Sequence, residues 1–407
     1  MGTSSPTTVP WAFVTGTPNE FGRAARRHWW LDPDCIFLNH GSFGATPREV
    51  LAAQDEWRLR MERQPLQFLA RTLPGALRAA ADELAASIGA NGANLVFIEN
   101  ATAGVNTVLR SLAWNPGDEI VFTSHGYGAV NKAIRCTAER HGARPVEAVV
   151  PFPIENEQQV ITAVESALSS RTRLAVLDHV TSCSALVLPV ARLVELCHAR
   201  GVPVLIDGAH APGMLPLDIE TLGADYYSGN CHKWLCAPKG CAFLWAAPER
   251  QADLHPLVIS WGWPEGFQAE FAWTGTRDPS PWLGVSAALA FLRRIPWAHR
   301  WDHNNRLAAW ASRLLEEAWD AAPSAPARMC ASMATVAVPG RWPASKALAD
   351  RLHDDLLQRF AIEVPVMDFA GRLWIRVCAQ VYNEPWEYER LAEAVCHVLR
   401  NDPGQGA

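Results

Sequence analysis

Lysine is nearly absent from this 407-residue chain. Of 36 Lys and Arg residues only four are lysine: Lys132, Lys233, Lys239 and Lys346. Arginine serves well on a solvated charged face, so such a face does not require lysine. A position that does require it needs an amine that can lose its proton and attack a carbonyl. Long apolar runs are also missing; none approaches the ~20 residues that span a membrane. The N-terminal stretch MGTSSPTTVPWAFVTGTPNEFG lacks the basic start and apolar core of a secretory leader. There is no basic surplus: the net charge is -6, which argues against a nucleic-acid partner. The ten cysteines include no C-x-x-C pair, and Cys231, Cys236 and Cys241 lack zinc-type spacing. No metal site is expected, and the thiols are expected to be reduced in a cytoplasmic protein.

What is present is an ordinary globular composition, 49% apolar and 19% charged. Apolar runs alternate with helical patterns. NLVFIEN (94–100), EIVFTS (119–124), RLAVLDHV (173–180), VPVLIDGAH (202–210), ADYYSGN (224–230) and GCAFLWA (240–246) read as strands. Helical patterns follow several of them, such as ATAGVNTVLRSLAW and VARLVELCHARG. This alternation predicts an α/β fold with a mostly parallel sheet covered on both faces. From about residue 290 the pattern becomes that of a small α+β C-terminal domain. We expect a flexible arm over 1–20 and a large domain over 38–289. Residues 21–37 and 290–407 are expected to form the small domain.

In such folds ligands sit beyond the carboxyl ends of the strands. Those ends supply Asp207 and His210, then Asn230, His232 and Lys233. Thr102 opens a helix after NLVFIEN. Tyr127 follows EIVFTSHG, and Thr181 and Ser182 follow RLAVLDHV. Pyridoxal phosphate needs this set: a lysine for its aldehyde and a carboxylate for its ring nitrogen. Its phosphate suits hydroxyls and helix N-terminal amides, and its ring suits an aromatic neighbour.

With those residues in place, the chain resembles class V aminotransferase-fold enzymes, within the fold-type-I pyridoxal-phosphate transferases. It is most similar to the isopenicillin N epimerase group. The motifs are LNHGSFG (38–44), ENATAGVN (99–106), HGYGAVN (125–131), DHVTSCSALVLPV (178–190), IDGAHAPG (206–213), YSGNCHKWLCAPKG (227–240), TGTRDPSPWL (274–283) and IRVCAQVYN (375–383).

The resemblance implies that Lys233 bonds the cofactor and Asp207 pairs with its pyridine nitrogen. His210 would lie near the phenolic oxygen, with Thr181 or Ser182 close by, and Tyr127 would stack on the ring. Thr102 with Ala101, Asn230 and His232 would hold the phosphate. Thr276 would reach a phosphate across a homodimer interface. Arg376 would clamp the carboxylate of an amino-acid substrate, flanked by Asn39.

Lys233, Asp207 and Tyr127 are thus the expected catalytic groups. Epimerisation or racemisation at Cα is the leading expectation, with Tyr127 as a second acid. C–S lysis and transamination remain open. Desulfuration is disfavoured because IEVPVMDFAGRLWIR (362–376) carries no nucleophilic cysteine. A non-enzymatic, cofactor-binding regulator is the weakest alternative, since both Lys233 and Asp207 are retained.

Overall fold

The computed structural model describes residues 21–340 and 344–400. The arm expected over 1–20 and the terminal NDPGQGA lie outside them. Twelve strands run through the described residues: β1 (Ile36–Phe37), β2 (Leu95–Ile98), β3 (Glu119–Thr123), β4 (Arg144–Ala148), β5 (Thr172–Asp178), β6 (Val204–Asp207), β7 (Tyr226–Asn230), β8 (Ala242–Ala246), β9 (Met333–Ala337), β10 (Ile362–Glu363), β11 (Val366–Phe369) and β12 (Arg372–Cys378).

The main sheet has seven strands in the order β2-β8-β7-β6-β5-β3-β4. Pairing is parallel from β7 through β4, and only β8 runs antiparallel to its two neighbours. Every residue of β2, β3, β6, β7 and β8 is buried. Burial of consecutive residues along each strand shows a sheet packed on both faces. One face buries Val121, Leu177, Val204 and Phe243. The other buries Ile120 and Leu205 against Val108 of the helix Ala101–Ser111 and Ile134 of the helix Gly128–His141.

Beyond the main sheet, β11-β12-β9 form an antiparallel sheet. The helices Trp297–Trp319, Lys346–Phe360 and Pro385–Arg400 share a core with it that includes Leu307, Leu315, Leu356 and Val377. The segment that precedes the large sheet also reaches this part. β1 pairs in parallel with β10, Arg26 bridges to Glu387 at 3.2 Å, and Leu38 joins the small core.

Among the described residues no helix is long and apolar enough to cross a membrane.

Candidate active site

Parallel strands in register deliver their last residues to one edge. Asp178 at the end of β5 pairs with Asp207 at the end of β6, which in turn pairs with Ser228 of β7. The chain then makes a tight turn through Lys233. Ala237 N–H bonds Cys231 O at 3.0 Å and Cys236 N–H bonds Lys233 O at 3.0 Å. Cys236 takes a left-handed φ of 58° to close it.

These loops surround a cavity of about 560 Å³. The expected Ala101, Thr102, Tyr127, Asp207, His210, Asn230, His232 and Lys233 all line it. Residues from four separate stretches of chain thus meet at the strand ends.

The amine of Lys233 lies 3.2 Å from His210 Nε2. Burial, and secondarily the Arg376 guanidinium, push its pKa down to about 8, against the opposing pull of Asp207. It is thus poised between ammonium and free base near neutrality, as an attacking amine must be. Burial first, then Lys233, holds His210 well below the usual imidazole value, so its ring is neutral. Its Nδ1 is buried without a protein partner, which suits an atom that faces a ligand.

Asp207 is almost fully buried and accepts the Ala209 N–H at 3.0 Å. Burial raises its pKa, while that amide and Lys233 lower it. Asp178 is pushed well above the carboxylate range by burial and then by Asp207. Of these two neighbouring acids, only Asp207 has the Lys233 amine beside it to favour its charged form.

The helix Ala101–Ser111 presents its N-terminus to the same cavity. Asn230 Oδ1 takes the Ala101 amide at 2.8 Å, and the cap Asn100 takes that of Ala103 at 2.9 Å. These leave the Thr102 amide as a donor for an anion. His232 donates Nδ1–H to Cys241 O at 3.1 Å, so its Nε2 is free. Burial lowers its pKa to about 4.

Arg376 sits beyond the opposite side, in β12 and only 2% exposed. Its Nη1 donates to Ser182 O at 2.7 Å, and its Nη2 to Ser42 Oγ at 3.0 Å and Asn39 Oδ1 at 3.4 Å. Its Nε is unpartnered. None of these acceptors is a carboxylate. A buried guanidinium without a counter-charge is costly, and a substrate carboxylate would offset that cost with charge-assisted bonds. Arg376→Ala is accordingly expected to raise KM for free amino acids about 10- to 100-fold, the range of one lost hydrogen bond to a charged group. The check is KM for an α-amino acid against KM for its amide, since only the former should suffer.

Four expected residues are not in the cavity lining: Arg376 and Asn39, which stand behind Ser182 and Ser42, and Thr181 and Thr276. Thr181 is fully buried, sharing bonds with Ser184 Oγ (2.7 Å) and Leu186 N–H (2.8 Å); its neighbour Ser182 lines the site instead. Thr276 is exposed and outside the lining. Asp178, Ser42 and Phe43 line the cavity without being among the expected site residues, and Lys239, the other lysine of that stretch, lines it too. Asp178 had a readable signal: it ends an apolar strand next to the one that ends in Asp207.

The donor set fits pyridoxal phosphate: amine, buried acid, orphan imidazole nitrogen and helix N-terminus converge on one space. No cysteine lines it, and the segment 362–376 forms β10 and the β11–β12 hairpin rather than a long loop.

Comparison with known proteins agrees. The chain is 36% identical over 389 residues to isopenicillin N epimerase of Amycolatopsis lactamdurans, covering 91% of this chain and 97% of that protein. It is 33% identical over 401 residues to a probable chloroplastic L-cysteine desulfhydrase of Arabidopsis thaliana, covering 91% and 84%. Among solved structures, a C-DES variant with glycine covalently linked to its PLP cofactor superposes with a TM-score of 0.79 at 21% identity, covering 91% and 98%. A cysteine desulfurase from Thermococcus onnurineus NA1 gives 0.78 at 19%, covering 94% and 99%. At those identities the two structures speak to fold alone. The aminotransferase class-V family model matches residues 37–351, and the chain belongs to that family.

Proposed function

We propose that this protein is a pyridoxal-phosphate enzyme that removes the Cα proton of an amino acid with a free carboxylate and returns a proton to the opposite face. The observation that carries the reading is the juxtaposition of an amine poised near pKa 8 with a buried guanidinium lacking a carboxylate partner. The cofactor, when bound, makes the substrate Cα–H acidic by drawing electrons toward its protonated ring. Asp207 is the charged acid for that ring nitrogen. Arg376, Ser42 and Asn39 hold the substrate carboxylate. Lys233, as free base, takes the Cα proton. Tyr127, half-exposed on the cavity wall, is the acid for the other face. Isopenicillin N epimerase relatives at 34–36% identity support this reading.

A second reading, β-elimination at a C–S bond, is supported by desulfhydrase relatives at 31–33% identity. It requires only Lys233 as base.

Incubation with L-amino acids and cysteine derivatives in D₂O separates the two. Deuterium at an inverted Cα is the expected outcome. Pyruvate, ammonia and a released sulfur fragment would replace epimerisation with lysis.

A homodimer belongs to the same proposal. Leu257, Val258, Ile259, Trp261 and Trp263 form an exposed apolar run, with Trp261 88% exposed. Trp261 and Trp273 border an apolar groove with Leu66, Leu69 and Leu73. Thr276 follows on the same segment, where a partner's phosphate would bring it into use. All ten cysteines are free thiols, in keeping with a cytoplasmic location.

A further inference from the structure

The motif LNHGSFG contains a four-residue helix, His40–Phe43, that touches both functional ends of the cavity. On one side its Ser42 Oγ and the preceding Asn39 Oδ1 accept from Arg376. Gly41 lies so close to the paired ends of β9 and β12 that a Cβ there would stand 2.7 Å from Met333 Sδ and 3.1 Å from Cys378 Sγ. On the other side His40 Nε2 lies 3.1 Å from Lys233 O. Gly44 closes the helix at φ +69°, and a Cβ there would meet His232 O at 2.1 Å and Lys233 Cα at 2.8 Å. Both glycines are needed for close approach, one to the guanidinium strand and one to the amine turn.

His40 is fully buried. Its Nδ1 lies 2.8 Å from Tyr382 Oη, whose proton has no other acceptor among the described residues. The hydroxyl therefore donates to Nδ1, which puts the ring proton on Nε2, facing Lys233 O. The Gln380 carbonyl is taken by Val381 N–H and Asn304, so its NH2 is what lies 3.2 Å from Nε2; with the ring proton on Nε2 it packs beside the imidazole without bonding it. Burial lowers the imidazole to about 3, so the ring stays neutral and takes no part in proton transfer.

We infer that this helix is a strut fixing the distance between the Lys233 amine and the Arg376 guanidinium, and that His40 is a positioning residue acting through the Lys233 main chain. The inference deepens the proposed function and rests on its assignment of those two groups. A substrate held by its carboxylate at Arg376 presents its Cα to Lys233 only if their separation is set. Misplacement by about 1 Å costs of order 100-fold in rate.

The test uses apoprotein and needs no substrate. Carbamylation of Lys233 by cyanate is followed against pH by peptide mass spectrometry. Wild type is expected to show a midpoint near 8. In His40→Ala the turn is released, the amine escapes burial and Arg376, and the midpoint moves toward the ordinary lysine value of 10.5. His40→Gln keeps an amide donor for Lys233 O and is expected to stay near wild type. With holoenzyme, His40→Ala is expected to lower kcat about 100-fold and leave KM within about threefold, with His40→Gln restoring most of the rate. If His40→Ala does not fold, Tyr382→Phe decides: it keeps the ring volume, frees the imidazole and moves the midpoint the same way by less.

Asp207, Arg376, Cys378, His210 and His232, the charged and titratable groups near the amine, are untouched in all three variants. An unchanged midpoint in the folded variant overturns the strut, as does a glutamine variant displaced as far as alanine. Loss of turnover on every amino acid with a normal midpoint shift would instead overturn the proposed function and leave the strut standing.

Discussion

Lys233→Ala is expected to bring turnover to background, a loss of about 10⁴-fold or more, the upper range for a general base. If the same amine bonds the cofactor aldehyde, as proposed, the variant will also hold no cofactor link reducible by borohydride. The result is read by absorbance after reduction and by mass. Retention of a reducible link would transfer the role to Lys239. The geometry makes that transfer hard. Burial lowers the pKa of both amines, but Lys239 Nζ donates to Thr46 Oγ1 at 3.1 Å at the cavity rim, whereas the Lys233 amine lies 3.2 Å from His210 beside Asp207 and Arg376. In wild type, capture of cofactor by apoprotein will rise as pH passes about 8, since below that value the amine is increasingly ammonium. A flat profile would deny the amine its poise.

Asp207→Ala is the second large effect, an expected loss of about 10³-fold in kcat, of the size seen when one preorganised electrostatic partner is removed. Cofactor occupancy will change far less, because Lys233 and the helix Ala101–Ser111 remain. Two titrations will move with it. Asp207 raises the Lys233 pKa, so the labelling midpoint of Lys233 will fall below about 8 in the variant. Asp207 also raises Asp178, so Asp178 will ionise more readily. Turnover near wild type with both titrations unmoved would show that the wrong acid carries the charge, and Asp178→Asn would then be the informative variant.

The central sheet is legible because most of its strands carry a short apolar run that finishes at turn residues. β4 was not read. RPVEA is an edge strand with mostly exposed positions, so it lacks the apolar run that marks its neighbours. The helix Arg48–Arg63 escaped for a related reason: only Val50 and Gln54 are buried along it, and its charged sequence carries little apolar stripe. The helix Trp297–Trp319 begins ten residues before the amphipathic pattern read at 307, because its first turns bury polar residues such as Arg300 and His303.

At the site, residues directly after strands were legible by position, as Asp207, Lys233 and Tyr127 show. Thr181 and Ser182 could not be ranked from sequence. After β5 the Val180–Val187 bridge closes a turn whose interior takes Thr181 and whose cavity side takes Ser182. Asp178 was passed over because an acid that ends an apolar run reads as a strand boundary. Only the register with Asp207 makes it a cavity residue. His40 was invisible for a different reason, since its partners lie 193 and 342 residues away.

Those separations bear on biosynthesis. Asn39 meets Arg376 across 337 positions, and β1 waits for β10. The seven strands of the main sheet all precede residue 247, so the ribosome can release a nearly finished large sheet while Arg376 and Tyr382 are still unsynthesised. The nascent protein would then carry a reactive amine with neither its clamp nor its strut. Contacts this distant in sequence form slowly. Competence to handle substrate therefore arrives abruptly, with the last strand and the helix Pro385–Arg400, and a chain truncated before them will be inert however well its sheet has folded.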